Sequence, residues 1–143
     1  MTTFPKELTR ARFGRVAEKY RTSVDHADVE DLDLLFSGLD LSAGHRILDV
    51  ATGGGHTASA LANRAVRVVA SDLTPRMLSE ARKLATARGD RNVSYCAADA
   101  EALPFAGGAF DRVTCRIAPH HFPDVRAAVA EMARVTKAGG GTA

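Results

Sequence analysis

The sequence has no tryptophan, only two cysteines and no long apolar run. A membrane-spanning helix needs about 18 consecutive apolar residues, so none is predicted. Cys96 and Cys115 have no second Cys or His two to four residues away, which argues against a zinc site. We expect two buried thiols in strands and no bound metal. The N-terminus, MTTFPKELTR, lacks the apolar core of a secretion signal, so we expect a cytoplasmic protein.

An excess of charge of one sign is also absent. The chain carries 19 Lys and Arg against 17 Asp and Glu, a formal net charge of +2. The basic residues are scattered rather than clustered, so no nucleic-acid or membrane surface is predicted. The length of 143 residues corresponds to one domain, and the 45% hydrophobic content is ordinary for a globular protein.

Strand and helix patterns alternate after residue 45. Strands are predicted at 46–50, 66–71, 93–97 and 110–116, and helices at 56–64, 75–88 and 124–137. Two further helices, at 5–20 and 27–38, precede them. Alternation of this kind predicts βαβ units, a parallel sheet and helices on both faces. On the last helix, Val125, Val129 and Met132 are expected to face inward.

Unusual polar residues follow the predicted strand ends, in the ranges 49–56, 72–73, 99–101 and 116–121. In parallel sheets the ligand lies off the carboxyl ends of the strands, where the strand order reverses. We therefore expect these four segments to form one site.

Two cofactors fit the glycine turn after the first strand. Gly53–Ala58 matches G-x-G-x-x-A, and Asp72 follows Gly53 at the distance of a ribose-binding carboxylate, which is typical of NAD-type oxidoreductases. Asp49 favours S-adenosylmethionine instead, because a carboxylate there would repel a pyrophosphate and attract a sulfonium or ammonium. Two unit charges ~4 Å apart at an effective dielectric near 20 interact by ~4 kcal/mol, so Asp49 would destabilise a bound phosphate, or stabilise a bound cation before desolvation, by that amount. Alternatively, Asp49 only caps the helix that starts near His56.

Five segments in register resemble the class I S-adenosylmethionine-dependent methyltransferases, in the branch of the ubiquinone and menaquinone biosynthesis enzymes (methyltransferase type 11). The segments are Leu48–Gly55, Ser71–Leu78, Ala98–Phe105, Phe110–Val113 and His120–Asp124. The resemblance implies a Rossmann-like core at 46–143 behind an N-terminal helical cap at 1–45. It also implies methyl transfer from S-adenosylmethionine to a small-molecule acceptor, leaving S-adenosylhomocysteine.

The resemblance also implies roles for individual residues. Those expected to bind the cofactor are Asp49, Ala51, Gly53 and Gly55 at its methionine end, Asp72 at the ribose, Leu73, Asp99 and Ala100 at the adenine, and Tyr20 as a lid. Ala51 stands where the broader family often has Gly. Tyr20 could equally be a core residue of its own helix.

His120 and His121 are the candidates for a catalytic base. They follow the fourth strand, and an imidazole has a suitable pKa for proton transfer. Methyl transfer needs a base only when the acceptor must lose a proton. We favour a structural role for both, so no catalytic residue is assigned.

The C-terminus departs from the family pattern. Lys137-Ala138-Gly139-Gly140 stands where the family has K-P-G-G before strand five. The family strand order is 3-2-1-4-5-7-6. We therefore expect a three-layer αβα sandwich of order 3-2-1-4, truncated before strand five and lacking strands 5–7. Strand four would be a bare edge, covered by self-association as a homodimer. Such a chain could be an active methyltransferase, or a non-catalytic fragment or remnant of one.

Overall fold

A parallel sheet of five strands lies at the centre of the computed structural model, which describes residues 29–116 and 122–142. The elements in chain order are α1 (Val29–Ser37), β1 (Arg46–Asp49), α2 (His56–Ala62), β2 (Arg67–Asp72), α3 (Pro75–Arg88), β3 (Val93–Ala97), β4 (Phe110–Thr114), α4 (Val125–Val135) and β5 (Thr136–Thr142). Most predicted boundaries of these helices and strands agree with the observed ones within two residues. The predicted helix at 5–20, with Tyr20, and both candidate histidines lie outside the described residues.

The strand order is β3-β2-β1-β4-β5, and every neighbouring pair is parallel. The predicted order 3-2-1-4 is therefore confirmed. β2 and then β3 lie on one side of β1, whereas β4 pairs with the other side of β1. The order thus reverses between β1 and β4, and the carboxyl ends of these strands form the crevice expected at such a point.

The predicted absence of strand five is wrong. Thr136–Thr142 pairs with β4, with Phe110 opposite Thr136 and Val113 opposite Thr142. A Cβ on Gly140 would lie 2.6 Å from the carbonyl oxygen of Asp111, so this close approach needs glycine. A run of glycines is typical of a turn, yet strand pairing uses the backbone alone. Since β5 covers the edge of β4, the expected homodimer through that edge loses its basis.

The core has two parts, one on each face of the sheet. Ile47, Val68 and Ala70 pack with α1 and α2 on one face, whereas Leu48, Val50 and Val113 pack with α4 on the other. Neighbours in a strand point to opposite faces, which explains the division of Ile47 from Leu48. The segment between β3 and β4 covers part of the α4 face through Ala100, Leu103 and Phe105.

The inward face of α4 differs from the prediction. Val125 and Val129 are 43% and 54% exposed, whereas Ala128, Met132 and Val135 are buried. Only Met132 of the expected stripe faces the core. Ala128, Met132 and Val135 follow the i, i+4, i+7 spacing of one helix face, so the helix is rotated relative to the expected stripe and the two valines lie at its edge.

Both cysteines are free thiols and are half-buried rather than buried. Cys96 lies in β3, but Cys115 lies one residue beyond β4. Among residues 29–116 and 122–142, no three His, Cys, Asp or Glu side chains are grouped to hold a metal. None of the helices described is long and apolar enough to cross a membrane.

Candidate cofactor-binding site

The turn between β1 and α2 has an unusual backbone. Ala51, Gly53 and Gly55 all have positive φ, at 54°, 55° and 83°. This region costs a residue with a Cβ about 1–2 kcal/mol, so Ala51 is held there by its surroundings. At Gly55 a Cβ would lie 2.6 Å from Cβ of Ala81, so glycine lets the start of α2 touch α3. The turn is thereby wound tightly between β1 and α2.

Asp49 ends β1 with its carboxylate fully buried. Its Oδ2 accepts a hydrogen bond from Oγ1 of Thr52 at 2.7 Å, and its Oδ1 accepts one from Oγ1 of Thr114 at 2.7 Å. Thr114 is the cross-strand partner of Asp49 on β4. The N-cap residue of α2 is Gly55, and no side chain donates or accepts a capping hydrogen bond there. The interpretation of Asp49 as the cap of this helix is therefore wrong. The two hydroxyls fix the carboxylate between β1, the turn and β4.

Burial raises the pKa of Asp49 to about 6, more than its two hydrogen bonds lower it. The nearby charge of Asp72 raises this pKa further, and Arg116 lowers it. Asp49 is therefore largely ionised at neutral pH, as a buried negative charge that accepts hydrogen bonds from two neutral hydroxyls. Such a charge favours a positively charged ligand in the crevice.

Asp72 ends β2, and its carboxylate joins two backbone segments by hydrogen bonds. Its Oδ2 accepts from the N–H of Gly53 at 3.0 Å, and its Oδ1 accepts from the N–H of Thr74 at 2.9 Å. Burial raises its pKa, against the lowering effect of these bonds. A carboxylate has about four acceptor positions, so roughly two remain for donors of a ligand.

The segment after β3 approaches the end of β2. The N–H of Ala98 donates to the carbonyl oxygen of Asp72 at 2.9 Å. Oδ1 of Asp99 accepts from the N–H of Glu101, also at 2.9 Å, and this bond closes a turn. Ala100, between the two residues, is buried. Asp99 is thus placed next to the Asp72 strand end, as the predicted common site requires.

Cys115 and Arg116 complete the described part of the crevice. Burial raises the pKa of the Cys115 thiol to about 12, and the charges of Asp49 and Asp72 add to the effect. Cys115 is therefore a neutral thiol at physiological pH and unsuited to act as a nucleophile. The structure brings Asp49, Ala51, Gly53, Gly55, Asp72, Leu73, Asp99 and Ala100 to the carboxyl edge of three neighbouring strands. Their contacts with a cofactor remain predictions.

Two residues near this site were not found from the sequence. Glu131 and Arg134, on α4, bind the backbone of Leu103 and Phe105. Both side chains look like solvent-exposed helix residues in the sequence. Only the packing of α4 against the β3–β4 segment reveals their contacts.

The sequence from 47 to 140 matches the methyltransferase domain family. The chain belongs to this family. The resemblance to class I methyltransferases is therefore confirmed, and the oxidoreductase interpretation of the glycine turn is set aside.

Three relatives show how far the similarity extends. The uncharacterized methyltransferase YcgJ of Bacillus subtilis is 42% identical over 128 residues, which are 90% of this chain and 51% of YcgJ. Its crystal structure superposes with a TM-score of 0.76, over 79% of this chain and 48% of that one. The demethylmenaquinone methyltransferase of Thermus thermophilus is 47% identical over 100 residues, 68% of this chain and 45% of the enzyme.

The third similar protein is named for a different activity. The [4+2]-cyclase SpnF superposes with a TM-score of 0.73 at 28% identity, over 78% of this chain and 42% of SpnF. This methyltransferase-family chain spans about half the length of the curated relatives above.

Proposed function

We propose that the chain binds S-adenosylmethionine at the carboxyl ends of β1, β2 and β3 and takes part in methyl transfer to a small molecule. The observation that carries this proposal is the pair of buried carboxylates on either side of the glycine turn, Asp49 and Asp72. A ligand with a positive charge and two vicinal hydroxyls satisfies both. A pyrophosphate would face the Asp49 charge at close range.

The residues fit the cofactor in three respects. The backbone of the turn is open to close approach because Ala51, Gly53 and Gly55 turn through positive φ. Asp72 keeps acceptor positions for the ribose hydroxyls beyond its two backbone bonds. Oδ1 of Asp99 accepts from the N–H of Glu101, and this bond holds the Asp99 carboxylate at the strand end where the adenine amino group would lie.

When bound, S-adenosylmethionine supplies a methyl group that its sulfonium has already activated for displacement. The chain would position the cofactor and supply the negative charge of Asp49. Asp49, oriented by Thr52 and Thr114, holds the positive end of the ligand over the β1–β4 crevice. Such alignment lowers the entropic part of the barrier, and no residue of the described part need take a proton for it.

A small-molecule acceptor is supported by the name of the Thermus thermophilus relative, a demethylmenaquinone methyltransferase. In the part of the chain that the structure describes, Asp49, Asp72 and Asp99 line the strand ends, and the net charge of the full sequence is only +2; neither observation favours a nucleic acid as the acceptor. If the acceptor must lose a proton, His120 and His121 are the candidate bases. The alternative proposal is a fragment that binds the cofactor but does not turn it over.

The test is a transfer assay with methyl-labelled S-adenosylmethionine and a panel of small phenols and quinols. We expect labelled product and S-adenosylhomocysteine from the chain, and less of both from Asp72→Ala when the cofactor is below saturation. Cofactor binding without transfer to any acceptor would support the non-catalytic alternative. Absence of cofactor binding would contradict the proposal as a whole.

A further inference from the structure

The segment between β3 and β4 is tied to α4 by two side chains, Glu131 and Arg134. Oε1 of Glu131 accepts from the N–H of Leu103 at 2.9 Å. Arg134 donates from Nη2 to the carbonyl oxygen of Leu103 and from Nη1 to that of Phe105, both at 2.9 Å. Three backbone groups of an otherwise irregular segment are thereby fixed by one helix.

The two side chains also fix each other. Arg134 donates from Nε to Oε2 of Glu131 at 2.6 Å and from Nη2 to Oε1 at 3.1 Å, a bidentate pair. The hydrogen bond from Arg134 lowers the pKa of Glu131, so the glutamate stays ionised. A planar guanidinium can serve a carboxylate and two carbonyls at once, which a lysine ammonium cannot do in the same geometry.

The opposite end of the segment is fixed to the cofactor-binding edge. Ala98 N–H binds the carbonyl oxygen of Asp72, and Asp99 accepts from Glu101 and forms an isolated bridge with Ala102. The turn at 99–102 therefore lies between two anchors, one at β2 and one at α4. Its position relative to β2 depends on both.

We propose that Glu131 and Arg134 are positioning residues that set the 99–102 turn for recognition of adenine. This inference rests on the proposed function, since it assigns Asp99 to the adenine amino group. The pair touches no ligand position itself and acts through Leu103 and Phe105. Its effect is therefore on the choice of base more than on the methionine end of the cofactor.

The fold should tolerate loss of the pair. The side chain of Leu103 is 4% exposed and packs in the core with Met132 and Val135, and Phe105 packs edge-to-face on Phe110 with centroids 5.1 Å apart. These apolar contacts keep the segment near α4 without Arg134. What is lost is the alignment of its backbone.

The experiment compares Arg134→Ala and Arg134→Lys with Arg126→Ala, which removes an exposed arginine from the same helix. Titrations measure the affinity for S-adenosylhomocysteine and for S-inosylhomocysteine, in which a carbonyl replaces the adenine amino group. We expect Arg134→Ala to weaken adenosyl binding about tenfold and inosyl binding about twofold, since aligned hydrogen bonds are lost only to the amino group. Arg134→Lys should behave like Arg134→Ala, and Arg126→Ala like the unmodified chain.

Amide hydrogen exchange provides a second readout that needs no ligand. Exchange at Glu101, Ala102 and Leu103 should accelerate in Arg134→Ala, while exchange in β1 and β2 stays unchanged. Unchanged exchange at 101–103 would overturn the inference even if no cofactor binds. Equal losses of adenosyl and inosyl affinity would overturn it as well. If the unmodified chain binds neither compound but the exchange changes, the proposed function fails, and the assignment to adenine fails with it.

Discussion

The N–H of Gly53 donates a 3.0 Å hydrogen bond to Oδ2 of Asp72, which lies 19 residues further along the chain. The carboxylate at the end of β2 thus holds the glycine turn that follows β1. In the proposed function the same carboxylate accepts from the ribose. One side chain therefore shapes the turn and binds the ligand that the turn receives.

Asp72→Ala is expected to weaken S-adenosylhomocysteine binding by about 1–3 kcal/mol, from lost charge-assisted hydrogen bonds. Calorimetric titration measures the change. Asp33→Ala is the matched control, because Asp33 is an exposed carboxylate whose pair with Arg64 spans 3.4 Å at the surface. Exposed ion pairs contribute little to stability, so Asp33→Ala should bind S-adenosylhomocysteine with the affinity of the unmodified chain. Equal affinities in both variants would reject the ribose role of Asp72.

Asp49→Asn is expected to stabilise the ligand-free chain at neutral pH. The pKa of Asp49 is raised from 3.8 to about 6, so the folded state holds its proton more tightly than the unfolded state does. The stabilising contribution of that proton is complete below about pH 4 and is lost as the pH rises through about 6. A shift of this size corresponds to about 3 kcal/mol above pH 6, as an order of magnitude.

Denaturant unfolding of both proteins at about pH 8 and about pH 4 measures this difference. The stability gain of Asp49→Asn should be present at the higher pH and small at the lower. At the same time the variant should bind S-adenosylmethionine more weakly, because its positive end loses a negative partner. A variant that is less stable at pH 8 would show that the buried charge is compensated in the fold.

Gly55→Ala is expected to destabilise the chain by about 2–4 kcal/mol, because it adds a steric conflict with Ala81 to the cost of positive φ. Gly89→Ala separates the two effects: Gly89 has φ of 76° but open space around its Cβ position. That variant should lose only about 1–2 kcal/mol. Unfolding midpoints of the two variants give the comparison, and equal losses would contradict the close approach of α2 to α3.

Gly140→Ala tests the pairing of β5. A Cβ there would lie 2.6 Å from the carbonyl oxygen of Asp111 and 2.8 Å from that of Lys137, so the strand should shift away from β4. We expect faster amide exchange in β5 and a loss of about 1–3 kcal/mol in stability. Gly44→Ala, where the added Cβ meets nothing within 4 Å, should leave both unchanged. Normal exchange in Gly140→Ala would indicate that β5 does not pair as described.

The sequence was sufficient for the parts of the fold that follow from local pattern. β2 is rich in β-branched residues, and α3 has Thr74-Pro75 at its start and Gly89 at its end, which are local signals typical of a strand and a helix. Alternation of strand and helix predicted the parallel sheet. β5 was missed because its run Lys137–Gly141 has turn composition, and its pairing depends on backbone contact with β4. The outward position of Val125 and Val129 depends on the rotation of α4 about its axis, because two apolar stripes, 125/129/132 and 128/132/135, both have helical spacing and only packing selects between them.

The candidate site was predictable as a set of residues but not as a network. Position after a strand end identified Asp49, Asp72 and Asp99. The hydrogen bonds of Asp49 to Thr52 and Thr114 arise from the register of β1 with β4. The tie from Arg134 to Leu103 joins residues 31 apart and is visible only in three dimensions.

The most direct measurement of the central claim is calorimetric titration of the chain with S-adenosylmethionine, S-adenosylhomocysteine and NAD, with Asp72→Ala as the comparison. The account predicts saturable binding of both adenosyl compounds, weakened in Asp72→Ala, and no binding of NAD. Binding of NAD without binding of either adenosyl compound would contradict it.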